Sequence, residues 1–142
     1  MQRLFPTKIT TPETMREFGE QLAGYLKAGD VIALVGDLGA GKTHITQGIA
    51  KAKGNEGEVT SPTFALVNEY LSGNTEVLHF DLYRMENAEE LLQIGWEEYL
   101  ERDAILVVEW ADRFPELMPA GTHCILIEHL EEGRSLNYGK VE

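Results

Sequence analysis

A chain of 142 residues with a formal charge of −12, 43% hydrophobic and 25% charged residues, has the length and composition of one globular domain, expected to run over 1–142. Its acidity repels a phosphate backbone, which argues against autonomous nucleic-acid binding, and no apolar run approaches the ~20 residues that cross a bilayer. Cys124 has no second cysteine to pair with, and the start from Met1 to Pro6 lacks the apolar core of a signal peptide, so a reducing cytoplasm is the expected location.

Thr11, Pro12 and Glu13 read as the N-cap, first-turn proline and acidic first turn of a helix. Met15, Phe18, Leu22 and Leu26 then recur at helical spacing, with Gly29 as the stop. The continuous apolar run from Val31 to Val35 suits a strand buried on both faces, and Thr43 to Lys53 suits a helix closed by Gly54. Residues 64–70 and 76–83 are strand-like and separated by Ser72-Gly73-Asn74, which predicts a hairpin. Asn87 and Glu90 have capping-box spacing ahead of Leu91, Leu92 and Ile94. Ala104 to Trp110 is a second buried-type strand and Cys124 to Leu130 a third, with a turn at Pro119-Ala120-Gly121 between them. Helices between parallel strands, with an antiparallel pair added, predict an α/β three-layer sandwich around a mixed sheet. Between Glu86 and Glu116 ten acidic residues face only Arg102 and Arg113, a balance of −8 that suits a solvated face or a docking surface for a basic partner.

The strongest motif is Gly36-Asp37-Leu38-Gly39-Ala40-Gly41-Lys42-Thr43, which matches G-x-x-x-x-G-K-[ST] without a mismatch. Glycines let backbone N–H groups turn toward phosphate oxygens, and the following helix directs its positive end at the same anion. In that role Lys42 reaches the β- and γ-phosphates and the Thr43 hydroxyl ligates Mg²⁺. His44, the next residue, stands where a contact to the α-phosphate can form.

Hydrolysis also needs carboxylates beside the terminal phosphate. Glu109 ends the apolar run Ile105-Leu106-Val107-Val108, and alternation in Leu78-His79-Phe80-Asp81-Leu82 puts His79 and Asp81 on one face. An α/β sheet collects its ligands at the carboxyl ends of its strands, which favours Asp81 and Glu109 as site residues. Thr63, in Ser61-Pro62-Thr63-Phe64, lies where a nucleotide-sensing segment is expected. Alternation sends Trp110 away from Glu109, so core packing is its expected role. His44, His79, His123 and His129 show no metal-ligand spacing with Cys124, and structural or surface roles are expected. Arg84 has two readings, an internal arginine finger or a surface ion pair.

Together, "GDLGAGKT", "VTSPTFALVNEY", "HFDLYR" and "VVEW" resemble, in order and spacing, the TsaE (YjeE) family, over about Thr11 to Arg134. The resemblance implies a P-loop NTPase-type fold and slow hydrolysis of ATP with Mg²⁺. It also implies action with TsaB and TsaD in making threonylcarbamoyladenosine at position 37 of tRNA, with tRNA met mainly through that complex. Carried over residue by residue, it gives phosphate and Mg²⁺ binding to Lys42 and Thr43, switch-loop membership to Thr63, and support of hydrolysis to Asp81 and Glu109. Trp110 becomes a residue that positions the neighbouring acid or forms a contact surface. Two positions depart from the pattern: His44 replaces a frequent second hydroxyl residue, and Ala111 replaces a frequent proline. A small-molecule kinase is the competing enzyme class, but the arginines are scattered and no segment is long enough for a lid. A nucleotide-dependent switch without turnover is the non-enzymatic alternative, and no N-K-x-D motif for guanine is present.

Overall fold

The computed structural model describes residues 1–36, 41–57, 59 and 66–141. Seven strands form one sheet: β1 (Thr7–Ile9), β2 (Val31–Gly36), β3 (Val67–Tyr70), β4 (Glu76–Asp81), β5 (Ala104–Glu109), β6 (His123–His129) and β7 (Arg134–Lys140). Their spatial order is β1-β7-β6-β2-β5-β4-β3. The central strands β6, β2, β5 and β4 are parallel, while β3 pairs antiparallel to β4, β7 to β6 and β1 to β7. The parallel strands are the apolar runs of the sequence, because helices cover both of their faces.

On one face lie α1 (Pro12–Ala23) and α2 (Lys42–Ala52). Thr11 caps α1 by accepting from the Thr14 backbone N–H, and the Thr14 side chain closes the box in place of the usual Glu. Met15, Phe18, Leu22, Ile45 and Ile49 pack there against Ile32, Leu34, Ile105 and Val107. The two helices cross at glycines: a Cβ on Gly19 would lie 2.3 Å from the Ile45 carbonyl oxygen, and one on Gly48 would lie 2.0 Å from that of Arg16. The opposite face carries α3 (Ala88–Gln93) and α4 (Trp96–Glu101), whose Leu91 and Trp96 pack with Phe80, Leu106 and Val108. The result is the expected mixed α/β sandwich.

Several details differ from the sequence reading. The edge strand β1 and its neighbour β7 are absent from the sequence reading, since they form only by pairing with each other and with β6. The segment after Asn87 makes two short helices, separated at Gly95 with φ of 95°. Asn87 does cap α3, but Glu90 turns its carboxylate to the Glu86 N–H rather than back to Asn87. The acidic stretch is partly absorbed by the fold. Glu109 is buried, and Arg113 donates to the carbonyls of Tyr83 and Met85. Arg102 bridges Glu69 and Glu76, which raises its pKa. No helix among the described residues is long and apolar enough to cross a membrane.

Candidate functional site

Strand β2 ends at Gly36, and α2 begins at Lys42 behind Gly41, whose φ of 104° favours glycine as the N-cap. Asp37, Leu38, Gly39 and Ala40, assigned to the phosphate loop, lie outside the described residues, as does Thr63. Lys42 is only 4% exposed, unusual for lysine, and among the described residues its ammonium meets a carbonyl, a carboxylate and an aromatic ring. Nζ donates to the Gly36 carbonyl at 2.7 Å, lies 3.9 Å from Glu109 Oε1, and sits 4.1 Å from the centroid of the Trp110 ring. Thr43 is half-buried in the first turn of the same helix. His44 turns along the helix, with Nδ1 3.2 Å from Gln47 Oε1, and lines a cavity of about 180 Å³ together with Thr11, Met15, Gly41 and Arg134.

The two candidate carboxylates come together through strand register. Asp81 and Glu109 are direct partners across the β4–β5 pair, each the last residue of its strand. Alternation places both on the α1–α2 face, beyond Val77 and Val107 of the same two strands. Glu109 is 4% exposed and Asp81 6%. Asp81 Oδ1 accepts from the Tyr83 backbone N–H at 2.9 Å. Glu109 Oε2 lies 2.5 Å from Nε2 of His79, a ring that is 0% exposed and whose Nδ1 has no partner among the described residues.

The sequence predicts a structural or surface role for His79, yet its ring is in contact with Glu109. The available signal was its position two residues before Asp81 in one strand, which gives both side chains the same face. The contact with Glu109 depends on β4–β5 pairing and was not legible. Trp110 corrects the alternation argument. It follows β5 in the left-handed region (φ 60°), so the pleat no longer dictates its direction. The half-buried ring turns over Lys42 and against Tyr83, 4.9 Å between centroids, as well as touching the core. Arg84 is exposed in the turn after β4.

The other resolved pKa displacements concern Cys124 and Tyr138, raised by burial, and His123, lowered by it. His123 opens β6, at the end of the sheet opposite Gly36.

The donor set suits a phosphate chain with a hard cation. A buried ammonium and a helix start favour anionic oxygen, while a hydroxyl and two strand-end carboxylates are oxygen donors of the kind Mg²⁺ prefers. No group of three or more His, Cys, Asp and Glu that could hold a metal occurs among the described residues.

A family model described as Threonylcarbamoyl adenosine biosynthesis protein TsaE matches residues 9–136. A Haemophilus influenzae protein named tRNA threonylcarbamoyladenosine biosynthesis protein TsaE is 34% identical over 128 residues, 87% of this chain and 81% of that protein. A protein of the same name from a Nostoc species is 40% identical over 128 residues, covering 88% and 78%. The crystal structure of YdiB from Bacillus subtilis superposes with a TM-score of 0.82 at 31% identity, over 97% of this chain and 86% of that one.

Proposed function

The chain belongs to the threonylcarbamoyl adenosine biosynthesis protein TsaE family, and on that premise we propose that it is an ATPase supporting tRNA modification. It binds ATP with Mg²⁺ and hydrolyses it slowly, in support of a TsaB–TsaD assembly that makes threonylcarbamoyladenosine at position 37 of tRNA. Contact with tRNA runs mainly through that assembly, in keeping with the net charge of −12, and the setting is the cytoplasm.

The observation that carries this reading is the burial of Lys42 at the start of α2, 3.9 Å from a strand-end glutamate. Lys42 holds phosphate oxygen, while the N–H groups opening α2 add partial positive charge. Thr43 would offer its hydroxyl to Mg²⁺, and Asp81 and Glu109 would supply the carboxylates for it or for its waters. When bound, Mg²⁺ neutralises charge on the phosphate oxygens. Glu109 accepts a proton of the attacking water at a carboxylate oxygen and so orients it. Trp110 closes one side of the ammonium and lowers the local dielectric, which strengthens each of these interactions.

The test is ATP turnover by the wild type and by Glu109→Ala, alone and with TsaB and TsaD. Loss of turnover on the order of 10²-fold or more, with nucleotide binding retained, is expected for the removal of a group acting at the transition state. Unchanged turnover overturns the role of Glu109. Full Mg²⁺-dependent binding by Thr43→Ala overturns the metal role of the hydroxyl. Phosphorylated product accumulating from a metabolite panel replaces hydrolysis with kinase chemistry, and nucleotide binding without turnover leaves a switch.

A further inference from the structure

We propose that His79 is the positioning residue of Glu109: its Nε2–H holds Oε2 and keeps Oε1 outside hydrogen-bonding reach of Lys42. The role rests on the ATPase reading, while the hydrogen bond itself does not.

An ionised carboxylate can only accept, so in this pair His79 is the donor, through Nε2. Nε2 and Oε2 lie within hydrogen-bonding distance, and no solvent competes for a ring that is 0% exposed. Lys42 Nζ and Glu109 Oε1, by contrast, stand 3.9 Å apart, beyond the ~3.2 Å limit of an N–H···O bond. Opposite charges buried together attract strongly. Without His79 the carboxylate is drawn onto the ammonium. That closure removes Lys42 from phosphate and Glu109 from water in a single step. His79 opposes it from the neighbouring strand, on a side chain that is fully buried.

The bland reading, an imidazole kept for packing, does not account for Nδ1. This second ring nitrogen is buried with no partner among the described residues. A leucine would fill the space without that uncompensated acceptor. Asp81 accepts from the backbone N–H of Tyr83, a contact distinct from the His79–Glu109 pair.

The experiment compares wild type, His79→Leu and His79→Gln. Glutamine can present an amide N–H near the position of Nε2. His79→Leu is expected to lower kcat by about 10–100-fold, as loss of a group orienting an active-site ligand does, and to raise KM for ATP through Lys42–Glu109 closure. His79→Gln is expected to recover most of both. A kcat within about twofold of wild type in a folded His79→Leu protein, or no recovery by glutamine, overturns the positioning role.

Imidazole ¹⁵N spectra of the nucleotide-free wild type and of Glu109→Gln provide the second readout. A protonated Nε2 whose shift moves in the variant is expected, and an unprotonated Nε2 overturns the proposal even if His79→Leu fails to fold. A wild type that hydrolyses no ATP sinks the ATPase reading, while the spectra still decide the hydrogen bond.

Discussion

Gly48→Ala is expected to destabilise the protein although alanine is the better helix former. An added Cβ would stand 2.0 Å from the Arg16 carbonyl oxygen, 2.8 Å from the Glu20 nitrogen and 3.0 Å from the Arg16 carbonyl carbon. All three are backbone atoms of α1, so no rotamer change relieves the clash. Restoring an ordinary contact of about 3.5 Å requires the helices to part by roughly 1.5 Å at the crossing. That movement loosens Phe18, Leu22, Ile45 and Ile49, which are 0–6% exposed. Overpacking costs about 1–3 kcal/mol where side chains can adjust, and the rigid neighbours here put the cost at or above the upper end. Helix propensity returns at most about 1 kcal/mol. A net loss of about 2 kcal/mol follows, lowering the urea midpoint by about 1 M at a slope of about 2 kcal/mol per M. Gly24→Ala is the control, since its Cβ would meet only the Gln21 carbonyl oxygen at 3.4 Å with φ already −63°. It should change stability by less than about 0.5 kcal/mol. A Gly48→Ala midpoint equal to or above wild type would refute the steric reasoning.

Trp110, over Lys42, should report nucleotide by fluorescence, whereas Trp96, 1% exposed with Nε1 donating to the Leu117 carbonyl, should not. An ATP-induced signal that persists in Trp110→Phe contradicts this assignment. His123 has a pKa below its ordinary value because burial disfavours the imidazolium. The unfolded chain therefore binds the extra proton more readily. The stability contribution is present above about pH 6.5 and is lost as pH falls through the folded pKa. The Tm difference between wild type and His123→Gln should accordingly shift against wild type between pH 7.5 and 5, and a constant difference would refute it. Replacing Lys42, His79 and Glu109 together by Met, Leu and Leu should give a urea midpoint no lower than that of Glu109→Leu alone. The single change leaves Lys42 without that carboxylate and the His79 donor buried without its acceptor. A lower midpoint for the triple variant would show that the cluster stabilises the fold.

Local chemistry made much of the fold legible. Thr11, Pro12 and the 3.6-residue spacing of Met15, Phe18 and Leu22 defined α1 without reference to the rest of the chain. Apolar runs defined β2 and β5 because burial on both faces leaves no polar position. Strand β7 has no such signature. In Arg134–Lys140 only Leu136 is buried, and the strand exists because β6 and β1 flank it. The site divides in the same way. Lys42, Asp81 and Glu109 were visible as residues at the ends of local patterns. Their mutual placement was not, because the register that aligns Asp81 with Glu109 is a property of two strands 28 residues apart in the chain. Trp110 was legible only in part: it packs against the core, but its second contact, over Lys42, arises where the backbone enters the left-handed region and alternation stops.

The distribution of buried polarity separates support from function. Among the described residues the buried polar or charged side chains are Lys42, Thr46, Asn55, His79, Asp81, Glu109 and Thr122. Thr46 donates to the Lys42 carbonyl, Thr122 to that of Pro119, and Asn55 ties α2 to Gly73 and Thr75 at the β3–β4 turn. These three satisfy backbone groups and hold elements in place. The other four are ionisable, and all sit where β2, β4 and β5 end and α2 begins. Burying ionisable groups opposes folding, and apolar side chains of similar volume would often be as stable. Strand alternation and the β4–β5 register gather that cost in one place rather than scattering it. Lys42 further keeps its ammonium on the Gly36 carbonyl, with Nζ 3.9 Å from Glu109 Oε1. A cluster assembled for stability would close that gap. On the proposed ATPase reading, that separation serves phosphate binding by Lys42 and proton acceptance by Glu109, and His79 supplies the hydrogen bond that opposes closure.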